Sequence, residues 1–479
     1  MLEPRLCVTV AARTIEEVRR GRDAADADLV ELRLDAMERP DVAGALQGRR
    51  AAVIVTCRAA WEGGGFKGSE EERRRILESA LALGVEFVDV EAAAGFAPDL
   101  IRARNGRGIV LSEHIVGQPP ADLRSRYAAL RSSGAEVPKL AIQVDTLQDM
   151  LPLFDIARNG AGESVSGHVL IAMGSVGVPS RVLAARLGNR WTYAGDGIAP
   201  GQIPALRLLR EFRFRRISRG AALYGVVGKP ISHSRSPAMH NAGFAALGLD
   251  GAYVPLEARD AADFVRFAKH IGLRGASITA PFKVSLLPYL DEIDPLARRV
   301  GAINTLMVHD GKWSGANTDV DGFLTPLAKR TTVKGLRAAV IGAGGAARGV
   351  AVALADRGAD VTICARRPDR AKEIADLVGG RAGEFPPRGS SWDLLVNATP
   401  VGGTADPRDP LEGAPLEGGI VFDLVYAPER TALLERAAQS GCTTIGGLEM
   451  LIAQAERQFE LWTGQRPPAG LFEAAATAS

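Results

Sequence analysis

Two side chains in the first half of the chain have the chemical types that nucleophilic and acid–base catalysis require. Lys139 lies in the apolar run 137–142, and an amine that loses solvation stays neutral and becomes a nucleophile. His114 ends the segment 111–114 and can move protons near neutral pH. Together they predict nucleophilic catalysis assisted by proton transfer, although Lys139 taken alone also fits a strand-end lysine that reaches solvent.

Charged side chains follow other apolar runs in the same half. Arginines bind carboxylates through paired hydrogen bonds, so several arginines in one site predict an acidic substrate. The alternation of strands and helices described below predicts a (β/α)8 barrel. Chemistry in such a barrel lies at the carboxyl ends of the strands, and these residues would lie there. They are Glu31, Arg33 and Arg58.

Separate segments of the second half contain residues that could act together in one site. Lys283 and Asp319, delivered by different loops into one cleft, could share the proton that a reductase gives to a carbonyl oxygen. Ser234 and Ser236 precede a predicted helix, whose N-terminus and hydroxyls would cradle a carboxylate. The alternatives are a partly buried Lys–Asp ion pair and a pair of capping serines without a ligand.

A glycine turn joins an apolar run to an Ala-rich helical segment at residues 340–348. Gly342 permits the tight turn, Gly344 permits close approach of the backbone to a pyrophosphate, and Ala347 permits close helix packing. Gly345 and Ala346 complete this predicted dinucleotide site. The alternative is a Gly-rich surface loop.

Arginines follow the next apolar run, 361–364, where an NAD site would place an acid. Arg366, Arg367 and Arg370 suit a ribose 2′-phosphate, so the cofactor predicted from this pattern is NADP. Solvated arginines without a ligand are the alternative.

Apolar runs alternate with helical spacing through about the first 210 residues. This alternation predicts a small (β/α)8 barrel, and an open doubly wound sheet is the alternative. Predicted helices include 70–83 and 121–132. The eight predicted strands are 6–10, 29–34, 52–57, 87–90, 109–111, 139–144, 168–173 and 191–194.

The Arg-rich segment 211–220 precedes a new strand at 223–227 and predicts a linker. The fold class is therefore α/β: a (β/α)8 barrel followed by a two-lobed α/β reductase with a Rossmann NADP-binding domain. Because each predicted site takes its residues from one side of the break, fragments 1–218 and 219–479 are expected to fold and act separately. The predicted domains are 1–218, 219–330 completed by 448–479, and 331–447, the last with strands at 394–397 and 420–424.

Composition limits the partners and the compartment. The chain has 479 residues and a formal net charge of +2, which gives no reason to expect nucleic acid or a membrane surface as partner. Four widely spaced cysteines predict buried reduced thiols, and the histidines indicate no metal site. A cytoplasmic protein is expected, or a plastid stromal one if a transit peptide has been removed. Nothing in the sequence selects an oligomeric state.

Residues 1–210 resemble type I 3-dehydroquinate dehydratase over their whole length. The matching segments are ELRLD, TCRAAWEGG, SEH, VPKLAIQ, GVPSRVLAARLG and APGQIP. The resemblance implies that Lys139 forms a Schiff base with the ketone of 3-dehydroquinate and that His114 removes the adjacent proton and protonates the leaving hydroxyl. It also implies that Glu62 orients His114 and Arg181 holds the substrate carboxylate. Glu31, Arg33, Arg58 and Gln202 would hold hydroxyls or the closing loop.

Residues 223–464 resemble shikimate dehydrogenase. The segments YGVVGKPISHSRSPAMHNAGF, GASITAPFK, VGAINT, GANTD and NATPVGG follow one another in that family's order. The resemblance implies that Lys283 and Asp319 are the catalytic pair and that Thr399 and Gly447 lie near the nicotinamide of NADP. The substrate contacts that it implies come from Ser234, Ser236, Thr279, Asn304, Asp319, Tyr426 and Gln454.

Four residues depart from the two family patterns. Ile198 stands where many bacterial dehydratases have a serine that helps to cover the substrate, and Ile115 stands where Asp or Asn is common. Ser277 replaces an Asn, which predicts one weaker substrate hydrogen bond, and Ala365 replaces an Asn of the cofactor loop.

The product of the first implied reaction, 3-dehydroshikimate, is the substrate of the second. The sequence therefore predicts two consecutive steps on one chain, from 3-dehydroquinate to shikimate with NADPH. One alternative is a Schiff-base barrel fused to a quinate dehydrogenase, against which Arg366 argues. The other is a chain with one catalytically silent, metabolite-sensing half, against which the intact Lys139 and Lys283 argue.

Overall fold

The computed structural model of the protein describes residues 3–159, 167–197 and 200–478. The chain divides into two compact units, Met1–Leu273 and Arg274–Ser479. This division falls inside residues 219–330, which the sequence predicts as one domain. The predicted domain boundaries therefore stay predictions.

Eight parallel strands in the described part of the first unit form the predicted barrel. Neighbours in the chain are neighbours in the sheet, and β8 pairs with β1. A bridge between His168 and Asn189 lies between β7 and β8 and closes the ring. The strands are β1 (Arg5–Val10), β2 (Leu29–Arg33), β3 (Ala52–Thr56), β4 (Phe87–Glu91), β5 (Ile109–Ile115), β6 (Val137–Gln143), β7 (Val169–Met173) and β8 (Trp191–Ala194).

Helices follow the barrel strands, and their starts carry sequence-encoded caps. Thr14 and Ser69 each form a capping box with a glutamate three residues later, so the first backbone N–H groups of α1 and α3 are satisfied. The helices are α1 (Ile15–Ala24), α2 (Val42–Leu46), α3 (Glu70–Ala82), α4 (Ala97–Arg104), α5 (Leu123–Ser132), α6 (Leu151–Asn159), α7 (Val178–Val182) and α8 (Ala184–Leu187).

The interior of the barrel changes from apolar to polar along each strand. Leu29, Phe87 and Val110 belong to a buried apolar cluster inside the ring. Because side chains alternate between the two faces of a strand, the residues two positions further along face the interior as well. In β4 and β5 these are Asp89 and Ser112, so a polar layer lies above the apolar one, towards the carboxyl ends of the strands.

Residues 219–273 form part of the first unit and pack on the barrel. Phe267 lies edge-on to Phe154 of α6 with ring centroids 5.8 Å apart, and Arg186 of α8 donates to the carbonyl of Ile271 at 2.8 Å. The two sides of the predicted break at residue 218 therefore share a buried interface, which the expectation of independent fragments did not include. The elements here are β9 (Ala222–Gly228), α9 (Ser236–Ala246), β10 (Gly251–Glu257) and α10 (Ala261–Ile271), with β9 and β10 parallel.

The second unit begins with antiparallel pairs of β11 with β13 and of β13 with β14, while β12 runs parallel to β14. The chain after β14 leads into α13, which packs against the long helix α17. Gly322 makes that packing close, because a Cβ there would lie 2.7 Å from the Cβ of Gln454. The elements are β11 (Leu273–Ile278), α11 (Phe282–Ser285), β12 (Glu292–Ile293), α12 (Pro295–Val300), β13 (Thr305–His309), β14 (Lys312–Ala316) and α13 (Asp319–Ala328).

Six parallel strands follow, in the order β17-β16-β15-β18-β19-β20. Numbered within this sheet the order is 3-2-1-4-5-6, which is that of a Rossmann fold. The predicted fold class is thus confirmed. The elements are β15 (Arg337–Ile341), α14 (Gly345–Asp356), β16 (Asp360–Cys364), α15 (Pro368–Val378), β17 (Arg381–Gly383), β18 (Leu394–Asn397), β19 (Ile420–Asp423), α16 (Ala432–Gln439), β20 (Thr443–Ile445), α17 (Gly447–Thr463) and α18 (Leu471–Thr477).

Three general findings concern the described residues as a set. None of their helices has both the length and the apolar character needed to cross a membrane. They contain no group of three or more His, Cys, Asp or Glu side chains that could hold a metal ion. The four cysteines are buried and not joined in disulfides: Cys7, Cys57, Cys364 and Cys442.

Candidate active sites

Lys139 lies inside the barrel, in the third position of β6. Its ammonium donates to Oδ2 of Asp89 at 2.8 Å and lies 3.9 Å from Oε1 of Glu31. The ring of Tyr193 lies on another side, with its centroid 4.6 Å from Nζ. The side chain is buried, as its apolar run predicts, and two carboxylates and an aromatic ring surround the amine.

A buried charge network organises this end of the barrel. Arg58 donates to Asp89 at 2.7 Å and to Glu91 at 3.0 Å, and Arg73 pairs with the other oxygen of Glu91. Burial opposes ionisation of Asp89, but Arg58 and Lys139 outweigh it and hold the pKa of that carboxyl well below its usual range. Asp89 is thus a permanent anion beside the amine of Lys139.

Arg58, which the resemblance implies as a holder of substrate hydroxyls or the closing loop, is almost fully buried. Its guanidinium also donates to Ser112 at 2.8 Å, and its contact with a ligand stays a prediction. Sequence reasoning missed Asp89, Glu91 and Arg73. The available signal was the alternation of acids with apolar residues in FVDVE, since an acid facing a barrel interior needs a partner.

His114 and Glu62 form the second pair of this site. Nδ1 of His114 lies 2.9 Å from Oε2 of Glu62, as the resemblance implies. Burial raises the pKa of Glu62 to about 8, and burial, helped by Arg58 and Lys139, lowers the pKa of His114 well below its usual range. The imidazole is therefore neutral near pH 7 and able to accept a proton.

Hydroxyl and amide groups fix the remaining acid of the site. Glu31 accepts from Thr9 at 3.0 Å and from Thr56 at 2.9 Å, and Gln202 donates to Thr9 at 3.1 Å. Glu31 and Gln202 therefore meet through one threonine, although they are far apart in the sequence. Arg33 forms a bidentate pair with Asp35 at 2.7 and 2.8 Å.

Arg181 is a buried cation whose partners are neutral. It donates to the carbonyl oxygens of Gly201 at 2.8 Å and Pro200 at 3.2 Å, and no carboxylate of the described residues forms an ion pair with it. Burial lowers its pKa to about 10. A buried guanidinium without a counter-charge favours an anionic ligand. Ile198 and the departure noted there lie outside the described residues.

Lys283 and Asp319 meet in the second unit, as predicted. Nζ of Lys283 donates to Oδ2 of Asp319 at 2.6 Å, and both side chains are partly exposed. The amide of Asn304 donates to the other oxygen of Asp319 at 2.8 Å, and Gln454 accepts from the same amide at 3.4 Å. Four of the predicted residues thus form one connected set that can deliver a proton to a carbonyl oxygen.

Ser277 lies behind this set. Its hydroxyl donates to Gln458 at 2.6 Å, and Gln458 in turn donates to the carbonyl of Asn304 and to the hydroxyl of Thr305, both at 3.0 Å. Gln458 is fully buried on α17 and was missed by sequence reasoning, because a glutamine in an amphipathic helix carries no motif. Ser277 therefore supports Asn304 from inside the protein.

The other predicted substrate residues occupy separate places. In the first unit, Ser236 begins α9 and Ser234 accepts its backbone N–H at 3.3 Å. In the second unit, Thr279 follows β11 directly and Tyr426 follows β19 as a half-buried residue. Their convergence on one ligand stays a prediction.

The glycine turn fits a dinucleotide phosphate. Gly342 has a φ of 110°, where glycine is favoured, and a Cβ there would lie 3.0 Å from Thr399. A Cβ at Gly344 or Gly345 would meet no protein atom within 4 Å, so the turn leaves open space at the start of α14. No side chain caps that helix, and its first N–H groups are available to an anion.

The arginines after β16 have the chemistry that a 2′-phosphate needs. Arg366 and Arg367 are exposed and follow the strand directly, while Arg370 pairs with Glu373 at 3.0 Å on its own helix. No acid stands at the end of β16. The hydroxyl of Thr399 donates to Asn397 at 2.7 Å. Gly447 begins α17, and a Cβ there would lie 2.3 Å from the carbonyl oxygen of Leu424, the residue after β19.

Family models match three parts of the chain. Residues 6–219 match the model for type I 3-dehydroquinase. Residues 226–306 match the substrate binding domain of shikimate dehydrogenase, and residues 447–477 match the C-terminal domain of shikimate 5′-dehydrogenase.

Known proteins resemble the chain over its whole length and over its second half. A bifunctional 3-dehydroquinate dehydratase/shikimate dehydrogenase, chloroplastic, from Arabidopsis thaliana is 32% identical over 98% of this chain and 83% of its own. A shikimate dehydrogenase (NADP(+)) from Methanothermobacter thermautotrophicus is 40% identical over 52% of this chain and 93% of its own. The crystal structure of a shikimate dehydrogenase in complex with NADP+ has a TM-score of 0.51 at 32% identity and covers 55% of this chain and 96% of its own.

Proposed function

The chain belongs to the family of bifunctional 3-dehydroquinate dehydratase/shikimate dehydrogenases, and we propose that two separate sets of residues, around Lys139 and around Lys283, carry its two reactions. It is a lyase and an NADP-dependent oxidoreductase of the shikimate pathway. It dehydrates 3-dehydroquinate to 3-dehydroshikimate and reduces that product to shikimate.

In the first reaction Lys139 is the nucleophile. Its amine attacks the ketone carbon of 3-dehydroquinate, water leaves, and the iminium draws electrons from the neighbouring carbon. His114 removes the proton from that carbon and returns it to the departing hydroxyl, so that water is eliminated. Water then hydrolyses the iminium of the product and frees the lysine. Arg181, the buried cation without a counter-charge, binds the substrate carboxylate.

The carboxylates around Lys139 serve two stages of this cycle. Asp89 at 2.8 Å stabilises the free ammonium before reaction and the positively charged iminium after it. The amine attacks in its neutral form, and the imidazole of His114 is unprotonated at neutral pH because burial lowers its pKa. Glu62 holds the imidazole in place through Nδ1, which leaves Nε2 for the substrate.

In the second reaction Lys283 and Asp319 handle the proton. Lys283 donates it to the oxygen of the 3-dehydroshikimate carbonyl, and Asp319 at 2.6 Å holds the ammonium in line. Asn304 fixes Asp319 from behind. Ser234, Ser236 and Thr279 bind the substrate carboxylate and hydroxyls.

NADP is the cofactor, and when bound it supplies the hydride equivalent for the carbonyl carbon. The turn from Gly342 to Ala347 and the start of α14 hold the pyrophosphate, and Arg366 with its neighbours holds the 2′-phosphate. The support for this assignment is the open space at Gly344 and Gly345 together with the absence of an acid after β16. Thr399 and Gly447 border the nicotinamide end of the site, and Tyr426 lines the substrate pocket.

One observation carries the dehydratase assignment: a buried lysine and a histidine lie on neighbouring strands, with Ser112 of β5 opposite Lys139 of β6. The direct test is reduction with borohydride in the presence of 3-dehydroquinate or 3-dehydroshikimate, followed by peptide mass spectrometry. The added mass is expected on the peptide that contains Lys139 and absent from Lys139→Ala. An adduct on Lys283 instead would refute the assignment.

The domains are proposed as 1–218, 219–330 with 448–479, and 331–447. Gln458 and Trp462 of α17 donate to the carbonyls of Asn304 and Leu306 at 3.0 and 2.9 Å, which supports assigning the last segment to the substrate-binding lobe. The proposed compartment is the cytoplasm or the plastid stroma, supported by four buried thiols.

A further inference from the structure

A carboxylate from the reductase half is buried against the barrel. Asp263 belongs to the first turn of α10 and has no exposed surface. Its Oδ1 accepts the backbone N–H of Gln148 at 3.0 Å, and its Oδ2 accepts that of Leu147 at 3.2 Å. The remaining partner is the N–H of Arg259 at 3.0 Å. Asp263 therefore caps a segment of the barrel from outside the barrel sequence.

The capped segment is the loop that follows β6, the strand of Lys139. Asp149 satisfies the N–H groups of Asp145 and Thr146 at 3.1 and 2.8 Å from within the loop. Asp263 satisfies the next two. Without it, the N–H groups of Leu147 and Gln148 would lose their acceptor in a largely buried place, which is unfavourable.

This loop borders the dehydratase site through consecutive hydrogen bonds. Val144 donates to the carbonyl of Met173 at 3.1 Å, and Gly174 donates to that of Pro200 at 3.1 Å. Arg181 donates to the same Pro200 carbonyl at 3.2 Å. The path runs from the capped loop to the end of β7 and on to Arg181. In addition, α7, which carries Arg181, packs against β10 of the reductase half.

We propose that Asp263 is a positioning residue for the dehydratase. Through this carboxylate, the reductase half fixes the rim of the barrel, which consists of the loop 144–150 with Gly174 and Pro200, and the rim in turn positions Arg181. The proposal rests on the function proposed for the barrel. It implies that the dehydratase needs residues beyond 218 to bind its substrate well. Loss of the cap loosens the rim, which weakens substrate binding more than it slows the chemistry at Lys139.

The test uses full-length protein and three variants. In Asp263→Ala, KM for 3-dehydroquinate is expected to rise about fivefold or more, as for the loss of a helix cap, while kcat stays within about twofold. Asp260→Ala is the matched control, because Asp260 caps the same helix and accepts from Asp263 at 2.8 Å but is not among the groups that bind the barrel loop. Asp263→Asn keeps one acceptor oxygen and is expected to give an intermediate KM.

Amide hydrogen exchange reports the cap itself. Residues 144–150 are expected to exchange faster in Asp263→Ala than in wild type and unchanged in Asp260→Ala. The proposal is overturned by a wild-type KM in Asp263→Ala, by an equal KM rise in Asp260→Ala, or by unchanged exchange of the loop. If Asp263→Ala does not fold, the same readings on Asp263→Asn decide. Absence of dehydratase turnover in the wild type would instead refute the proposed function.

Discussion

The side chains of Glu62 and His114 share a hydrogen bond, and burial shifts the pKa of each group towards its neutral form. The pKa of Glu62 is raised to about 8, so the carboxyl carries a proton at pH 7 and loses it as the pH passes 8. The pKa of His114 is lowered below 6.5, so the imidazole is already unprotonated at neutral pH. The titration that matters for catalysis above pH 7 is therefore that of Glu62.

Ionised Glu62 stabilises the imidazolium that forms when His114 takes a proton. We expect kcat/KM of the dehydratase to rise through a step near pH 8, the value to which burial raises the pKa of Glu62. The acid limb of the profile should lie below pH 6.5, the ordinary value for histidine. In Glu62→Gln the step near pH 8 should vanish, since the amide does not ionise. A step that persists in Glu62→Gln would assign it to another group.

The surroundings of Lys139 illustrate what sequence reading can and cannot supply for a single residue. Its sequence neighbours, Pro138 and Leu140, are apolar, but in a strand they face the opposite side of the sheet. The residues that touch the amine come from β2, β4 and β8. Their identity depends on strand register, which no local pattern contains, so the residue was found from its sequence context and its partners were not.

At the scale of elements, apolar runs with turn signals predict all eight barrel strands and four of the six Rossmann strands, namely β15, β16, β18 and β19. The ends differ by a few residues where polar side chains continue a strand: β5 extends through His114 to Ile115, with Ser112 and His114 on the side that faces the barrel interior. The helix Leu471–Thr477 was not predicted, as its short Ala-rich segment has little periodicity. The roles of the site residues remain predictions.

The turn before α14 can be tested separately from the stability of the fold. A Cβ at Gly344 would meet no protein atom within 4 Å, so Gly344→Ala should fold with wild-type thermal stability. It should nevertheless weaken NADPH binding about tenfold or more, because the added methyl would occupy the space of the pyrophosphate. Calorimetric titration measures the affinity.

Gly349→Ala is the matched control for that substitution. A Cβ there would make only one ordinary contact, at 4.0 Å with Val300, and alanine favours the helix. This variant should bind NADPH as the wild type does. Unchanged affinity in Gly344→Ala, or equal losses in both variants, would mean that the pyrophosphate lies elsewhere.

The loop after β16 sets the choice between NADPH and NADH. Arg366 can pair with a 2′-phosphate, and a charge-assisted hydrogen bond contributes about 1.5–3 kcal/mol. In wild type, kcat/KM should be at least about tenfold higher with NADPH than with NADH. Arg366→Ala should lower this ratio about tenfold and leave kcat/KM for NADH unchanged. Arg388→Ala, another exposed arginine of the same region, should keep the wild-type ratio. Equal use of both cofactors by the wild type would show that these arginines point elsewhere.

On the scale of the whole molecule, the sequence correctly assigned two consecutive reactions to one chain but gave no sign that residues 219–273 pack on the barrel. The first compact unit extends to Leu273, because α10 packs Phe267 and the buried Asp263 on the barrel. Such contacts join segments more than a hundred residues apart and leave no local trace in the sequence. The Arg-rich segment 211–220 connects the two predicted halves along the chain, but residues after it still pack on the barrel.

The most direct test of the whole account is a single incubation of the protein with 3-dehydroquinate and NADPH, in wild type, Lys139→Ala and Lys283→Ala. Wild type should form shikimate and oxidise one NADPH for each molecule formed. Lys139→Ala should form none from 3-dehydroquinate yet reduce added 3-dehydroshikimate, and Lys283→Ala should accumulate 3-dehydroshikimate at a rate near that of wild type. Shikimate formed from 3-dehydroquinate by either variant at the wild-type rate, or no shikimate from the wild type, would contradict it.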